Sequence, residues 1–522
     1  MTDTLKSELD ISDNLVGINN ASPALSKSKI VLILVSLILS ILIAAIDETI
    51  VATALGAITK EFNSGGEVTW IAVAYLLTMT AFQPLYGKFS DLFGRKYCLL
   101  FSLALFLVGS IVCGTATNLL VLIVFRGLSG ISAGGLMALT FIIVSDIIPI
   151  EDRSIYLSLL SGTFALSYVI GPLLGGVFVD YVNWRWIFYI NIPIVAVAVA
   201  LIIFILPNHK TEDNIKDTLK RIDIFGTLTL VIGIILLVLG LNWGGKEYPW
   251  SSPQVIVCLI LGLIVLALFV LIEKKYAIEP VIPSKMFTLN AILLNLCGLM
   301  LGFSMVVYMY YWPLYHQTVR SSSAIIAGIE TLPILVGDCG FAALSGLLVT
   351  RFKVYRPFIW SGMMLLIIGN SLMARLSIDM LRFEEILYPL ITGIGIGLCI
   401  QTCIVGAQVA VKEEHVAIMT AFVNFSITIG GVFGLAIQGS IFNNILVENL
   451  KGLLPEINPS LIIESLGYLR SLPPDQYALA IQAYLTAYRT MFLSLIPFSA
   501  IGFLCSLFIK HIPLTTVKVV SH

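Results

Sequence analysis

Four ionisable side chains stand inside runs that are otherwise apolar: Asp47 and Glu48 in the first long run, Arg126 in a later one, and Asp338 within Leu335-Val336-Gly337-Asp338-Cys339-Gly340. Such a group inside hydrocarbon costs roughly 2.5–3.5 kcal/mol on insertion scales, so each needs a reason to be there. A carboxyl removed from water holds a proton readily and can release it when positive charge arrives, which suits proton exchange against a cationic solute. Asp47 and Glu48 are adjacent and project about 100° apart on a helix, so only one can face a central cavity squarely. Arg126 falls about two turns into its run, at a depth that could match this acidic pair if the helices run antiparallel. Its planar fork can grip a carboxylate bidentately, and Lys in its place would lose that grip. The pair is then either part of proton handling or a structural tie, with Glu48 free to reach the interface or to pair with Arg126. Asp338 is either a second protonation or cation-recognition site, or a protonated carboxyl bonded to a neighbouring helix. Glu330, nearer the end of the same run, reads as an interface carboxylate.

Other polar groups are uncharged. Gln401, Thr402, Gln408 and Asn424 either line a cavity or bond between helices. Tyr308, Tyr310, Tyr311 and Trp312 offer aromatic faces to an organic cation, yet their place near a run's end favours an interfacial belt. Gly171, Pro172, Gly175 and Gly176 remove side-chain bulk and one backbone donor, permitting close helix contact and a kink. Gly87-Lys88-Phe89-Ser90-Asp91-Leu92-Phe93-Gly94-Arg95-Lys96 is a charged hairpin between two apolar runs. Its Asp91, Arg95 and Lys96 can pair with each other and with helix ends, and so latch one conformation.

The elements that must position these groups are membrane helices. The 522 residues are 58% hydrophobic and 12% charged, against about 45–50% and about 25% in soluble proteins. Continuous rather than alternating apolar runs imply helices, not a barrel. Fourteen runs are long enough to span: 30–57, 68–87, 97–116, 119–147, 155–179, 186–206, 223–242, 254–273, 289–312, 325–349, 355–375, 386–411, 417–440 and 491–509. The polar segment 1–29 reads as a disordered cytosolic tail, and 510–522 as a second cytosolic tail. Between them the pattern predicts a six-helix bundle over 30–206, two inserted helices with linkers over 207–285, and a second six-helix bundle over 286–509. The segment 441–490, with Pro455, Pro459, Pro473 and Pro474 and two amphipathic stretches, is expected as a long loop of short helices lying on the non-cytosolic surface. With both termini cytosolic, twenty of the thirty Lys and Arg fall on the cytosolic side, nine on the other, and Arg126 within a helix, as the positive-inside rule requires.

A faint repeat relates the halves. Gly346-Leu347-Leu348-Val349-Thr350-Arg351, with Arg356 beyond, echoes the Gly87 hairpin without its Asp, and Gly430-Gly431-Val432-Phe433-Gly434 loosely echoes Gly171 to Gly176. The net charge of −1 gives no footprint for nucleic acid. Eight Cys lie in or beside apolar runs without CxxC spacing, as small hydrophobes rather than metal ligands. No GxxxxGK[ST], HExxH or GxSxG sequence occurs, so neither ATP-driven transport nor membrane-enzyme chemistry is expected, and no cofactor is called for.

These residues resemble the major facilitator superfamily, in particular its fourteen-spanner drug:proton antiporter group from fungi. Gly87 to Lys96 is similar to the family's signature hairpin, Ile46-Asp47-Glu48-Thr49-Ile50-Val51-Ala52-Thr53-Ala54-Leu55 to its first-helix motif, Arg126-x-x-Ser129-Gly130 to its fourth-helix motif, and Gly171-Pro172-x-x-Gly175-Gly176 to its antiporter motif. Departures are Gly56 where Pro is usual, Ser129 and Ser132 for Gln and Gly, and Ser167 for Gly. The resemblance implies an all-α transporter of two six-helix bundles plus two inserted helices, with Arg126 taking part in proton coupling. It also implies proton antiport of small organic, drug-like solutes, cations among them, by a monomer in the plasma or vacuolar membrane. The alternative within the group is a vacuolar antiporter of basic amino acids, and a remoter one a solute sensor. On this reading Asp47→Asn leaves the fold intact and abolishes proton-driven transport.

Overall fold

The computed structural model describes residues 26–514 apart from 63–67, 69, 208–222, 246–247, 277–278 and 465. The expected tail 1–29 therefore lies almost wholly outside the described residues, as do most of 510–522 and the linker 208–222. Helix occupies every one of the fourteen expected positions, consistent with fourteen spans, and among the described residues twelve helical stretches are long and apolar enough to cross a membrane.

The first bundle holds α1 (Lys27–Phe62), α2 (Trp70–Phe82), α3 (Leu85–Phe93), α4 (Arg95–Gly114), α5 (Leu119–Ile147), α6 (Arg153–Tyr181), the single turn α7 (Trp186–Tyr189) and α8 (Asn191–Ile205). The expected second span is split into α2 and α3 at Pro84, which lacks the donor needed to continue the helix. The inserted pair is α9 (Ile224–Trp243) and α10 (Pro253–Lys275), begun by the Asp223 and Ser252 side chains, which accept from the Gly226 and Val255 backbone N–H groups. The second bundle comprises α11 (Leu289–Thr318), α12 (Ala324–Ile329), α13 (Leu332–Phe352), α14 (Arg356–Met373), α15 (Arg382–Val409), α16 (Val416–Leu453), α17 (Pro459–Glu464), α18 (Leu466–Ser471) and α19 (Pro474–Leu507).

The segment 441–490 is not the long loop expected from its prolines. Helix α16 runs on to Leu453 and α19 restarts at Pro474, leaving only 454–473 with two short helices. The amphipathic stretches face each other rather than a surface: Leu446, Leu450, Leu454, Ile462, Leu469, Ala480, Ile481 and Tyr484 are buried together. Burying those apolar faces against one another favours continuing the helices beyond the bilayer.

The two bundles repeat one packing scheme. In the first, α6 lies on α1, where a Cβ on Gly175 would stand 2.7 Å from the Ile50 carbonyl oxygen and one on Gly171 3.2 Å from Thr49 Cβ. In the second, α16 lies on α11, with Gly430 against Leu299 and Gly434 against Phe303. Gly176 faces open space, so the close contact expected of it does not form.

The bundles meet at the end that carries the Gly87 to Lys96 hairpin. There one continuous apolar core joins Tyr86, Cys98 and Leu157 of the first bundle to Ala342, Ile404 and Ile418 of the second. At the opposite end the cores are separate: Ile46, Ile50 and Phe188 belong to one, Tyr311, Tyr488 and Phe442 to another. Two glycines permit the junction. A Cβ on Gly87 would lie 2.9 Å from Ile418 Cα, and one on Gly346 would lie 2.9 Å from the Ser154 carbonyl oxygen. The end of the second helix of each half thus rests on the start of the fifth helix of the other. The inserted pair covers one flank of this junction, with Leu230, Ile234 and Val238 of α9 packed among Leu77 and Ala81 of α2 and Ile429 of α16.

Gly87→Val is expected to prise this end apart, since overpacking costs about 1–3 kcal/mol and the blocking atoms are backbone. Spin-label distances between exposed positions Tyr97 and Lys412, one in each bundle, check it: a longer distribution is expected in the variant, and an unchanged one counts against the packing account.

Candidate functional site

The four ionisable side chains that stand inside the apolar runs have three different settings. The first is a sealed network in the first bundle. Arg126 pairs with Asp47 through Nη1 and Oδ2, both residues being 1% exposed. Arg126 Nη2 also donates to the Asp47 carbonyl at 3.3 Å and Nε to the Ile71 carbonyl at 3.2 Å. Asn191 Nδ2 donates to Asp47 Oδ1 at 3.1 Å and to Ser110 Oγ at 3.2 Å. The guanidinium stacks over the Tyr75 ring at 4.1 Å, and the Tyr75 hydroxyl donates to the Ala44 carbonyl at 2.9 Å. Helices α1, α2, α4, α5 and α8 all contribute, so this is a tie through the whole bundle, with both Asp47 oxygens already occupied.

Glu48 points elsewhere, as the 100° offset requires. Its Oε1 accepts from the Tyr168 hydroxyl of α6 at 3.2 Å, while Oε2 is buried and has no partner. It does not pair with Arg126, as one reading of the sequence allowed.

The second bundle supplies Asp338 on α13, 2% exposed, with Oδ1 lacking any partner. The alternative that it bonds a neighbouring helix through that oxygen is not realised. Asp338 instead lines a cavity of about 80 Å³ between the bundles, with Met79, Gln83, Met137, Phe141, Ser161 and Phe164 on one side and Met305, Ile400, Ile404, Asn424, Ile427 and Thr428 on the other. Gln83 Oε1 is also buried and unpartnered. In the wall the Asn424 amide donates to the Thr420 carbonyl, and Gln401, expected to line the cavity, lies outside the wall and donates its amide to Ser161 Oγ. The wall contains no Lys, Arg or His.

Several expected site residues lie outside the cavity. Tyr308 is buried, its hydroxyl donating to Asn370 Oδ1 at 2.6 Å, and Tyr311 packs against Phe442. They are not in the wall of this cavity and, with the buried Trp312, form no interfacial belt, because α11 is enclosed by α16 and α19. Only Tyr310 of that group is exposed, at 57%. Gln408 is an inter-bundle tie, donating to Ser145 Oγ at 2.6 Å and accepting from Arg153 at 3.3 Å. Thr402 bonds its own helix at the Leu398 carbonyl. Glu330 pairs with Arg382 at 2.6 Å.

In the hairpin, Arg95 bridges Asp91 at 2.5 Å and Asp146, at the end of α5, at 2.7 Å. Lys96 caps the far end of α8 by donating to the Ile203 and Leu206 carbonyls at 2.7 and 2.8 Å. Gly94 has φ +88°, a backbone conformation that side chains resist. Lys88 reaches Glu279, beyond the inserted pair, at 2.7 Å. In the second half Arg356 stacks on Trp360, and Lys353 Nζ donates to the Glu151 carbonyl across the junction at 3.4 Å.

The molecule thus has paired bundles, a cavity at their junction and a charged hairpin at one end. Residues 37–435 match the model of the Major Facilitator Superfamily. The chain belongs to that superfamily. The efflux pump dotC of Dothistroma septosporum is 33% identical over 95% of this chain and 86% of its own, and the efflux pump aflT of Aspergillus parasiticus 32% identical over 90% and 93%. These relatives place it in the superfamily's fungal drug-efflux group. Its fold is similar to that of the superfamily's proton:xylose symporter XylE, with a TM-score of 0.57 and 14% identity, covering 93% of this chain and 97% of that one.

Sequence reasoning missed Asn191, Tyr75, Tyr168, Gln83 and Asp146. Asn191 and Gln83 were detectable as amides in apolar surroundings, and Asp146 as a carboxylate ending the fourth run. Tyr75 and Tyr168 carried no signal, because a tyrosine in a membrane helix is chemically unremarked until its hydroxyl's neighbour is known.

The network also changes what Asp47→Asn should do. Removing the carboxylate leaves the Arg126 charge buried alone, at a cost of about 3–5 kcal/mol. A lowered melting temperature in detergent is expected, partly restored by adding Arg126→Gln, and an unaltered melt in the single variant would show that the pair is not a structural tie.

Proposed function

We propose that this transporter is a proton-coupled antiporter that moves small organic, drug-like solutes out of the cytosol by alternating access. The central cavity carries this reading: both bundles wall it, methionine, phenylalanine and isoleucine side chains make up most of it, and it holds one acid, Asp338, with an unmet oxygen. An apolar body fits such a wall, and its unused acceptors, Asp338 Oδ1 and Gln83 Oε1, call for a solute that donates hydrogen bonds or carries positive charge. That dotC and aflT are named efflux pumps supports the outward direction.

The charge count favours a cytosolic hairpin end, with twenty of thirty Lys and Arg on that side. In that orientation the joined cores describe a state closed to the cytosol, in which the backbone contacts at Gly87 and Gly346 and the Gln408 bonds to Ser145 and Arg153 hold the junction shut. Protonation of Asp338 and solute binding are alternative ways to neutralise the cavity, and each biases a different state. Transport of basic amino acids into a vacuole is the less favoured reading, since the α-carboxylate of Lys or Arg would meet no cation in this wall.

Counterflow in proteoliposomes tests the proposal. Labelled ethidium is expected to exchange and to be accumulated by a pH gradient, with Asp338→Asn lowering accumulation about tenfold, a change of ~1.4 kcal/mol. Exchange of labelled lysine with ethidium inert would establish the amino-acid reading instead, and binding without exchange of either would establish a sensor.

A further inference from the structure

Glu48 and the central cavity are joined by two aromatic side chains on one helix. Phe164 of α6 lines the cavity, and its ring lies 5.0 Å from that of Tyr168, one turn further along, at an interplanar angle of 57°. The Tyr168 hydroxyl donates to Glu48 Oε1 at 3.2 Å, and Glu48 Oε2 has no partner. Tyr168, Gly171 and Gly175 are spaced i, i+3 and i+7, and so share the face of α6 that the two glycines press onto Thr49 and Ile50 of α1. The close approach of the helices is therefore what brings the phenol within reach of the carboxyl. Asp47, by contrast, has both oxygens occupied and is sealed from the cavity.

We propose that Tyr168 is a positioning residue that couples occupancy of the cavity to the charge of Glu48, making Glu48 rather than Asp47 the proton-exchanging acid of the first bundle. The proposal rests on the antiporter reading above. A phenol that donates to a carboxylate stabilises its ionised form and has no such preference for the protonated form. A solute that packs Phe164 against Tyr168 holds the phenol in its donating position, and the Glu48 O–H bond breaks, its proton passing to water. When the solute leaves, the phenol donates for a smaller share of the time and Glu48 takes a proton back from water. One solute and one proton thus exclude each other without sharing a site. Four titratable or charged groups face Glu48: Asp47 on its own helix, Arg126 on α5, Tyr75 on α2 and Tyr168 on α6. Asp47 and Arg126 are paired with each other and the Tyr75 hydroxyl is held at the Ala44 carbonyl, which leaves Tyr168 as the group that touches a cavity-lining side chain.

Infrared difference spectra of the purified full chain across a pH titration test this without a ligand. A protonated-carboxyl band is expected that Glu48→Gln removes. In Tyr168→Phe, which keeps the ring, the band should persist to about one pH unit higher. Phe164→Ala, which leaves both polar groups in place, should shift it the same way by less, and gel filtration and thermal melts check that all variants are folded. A Glu48-dependent band that titrates alike in the parent and in Tyr168→Phe overturns the proposal, and so does the absence of any such band. In proteoliposomes Tyr168→Phe is expected to lower pH-driven ethidium accumulation relative to counterflow. If the parent protein shows no response to a pH gradient, the antiporter reading fails independently of the infrared result.

Discussion

A guanidinium without water around it must be neutralised by something fixed, and in this protein that constraint organises the first bundle. Arg126 is 1% exposed and keeps its charge only because Asp47, the Ile71 carbonyl and the Tyr75 ring surround it. A lone charge there would cost several kcal/mol, so five helices hold their mutual register through one pair. The consequence reaches the site: with Asp47 committed to Arg126, the neighbouring acid is turned about 100° away and left for other work.

Among its described residues the second bundle has no ion pair sealed to that depth: Glu330 and Glu385 meet the more exposed Arg382 and Arg320 near one end. A third buried acid, Asp338, faces the junction with the first bundle and lacks a partner for Oδ1, while the corresponding hairpin has kept its cations and lost its carboxylate. The halves share packing, seen in the parallel glycine contacts of α6 on α1 and α16 on α11, but divide their chemistry. One half is braced internally by charge. The other offers an unmet acceptor to whatever enters between them.

The junction is asymmetric along the membrane normal as well. Glycines at 87 and 346 let backbone meet backbone at one end, and Gln408, Ser145 and Arg153 tie the bundles there by hydrogen bonds. Nothing comparable joins the described residues of the two cores at the other end, where each closes on itself. The glycine and Gln408 contacts sit within the continuous apolar core that joins the bundles at the hairpin end, so apolar burial and polar ties close it together.

Helix positions, the charged hairpin and the intramembrane acids were legible from residues alone, because hydropathy and turn chemistry are local and the bilayer leaves the backbone few options. The length of α16 and α19 was not, since proline spacing suggested a loop while burial of Leu446, Leu450 and Tyr484 against one another favoured helix. Nor was the fate of Tyr308 and Tyr311, whose surroundings depend on which helices enclose α11. Sequence by itself determined that this is a two-bundle membrane protein with too many buried acids to be inert. Which acid is braced, which is free and which faces the cavity were decided only in the tertiary structure. Partnership is a matter of distance between helices, and residues at 48 and 168, or at 47 and 126, carry no record of that distance in their own neighbourhoods.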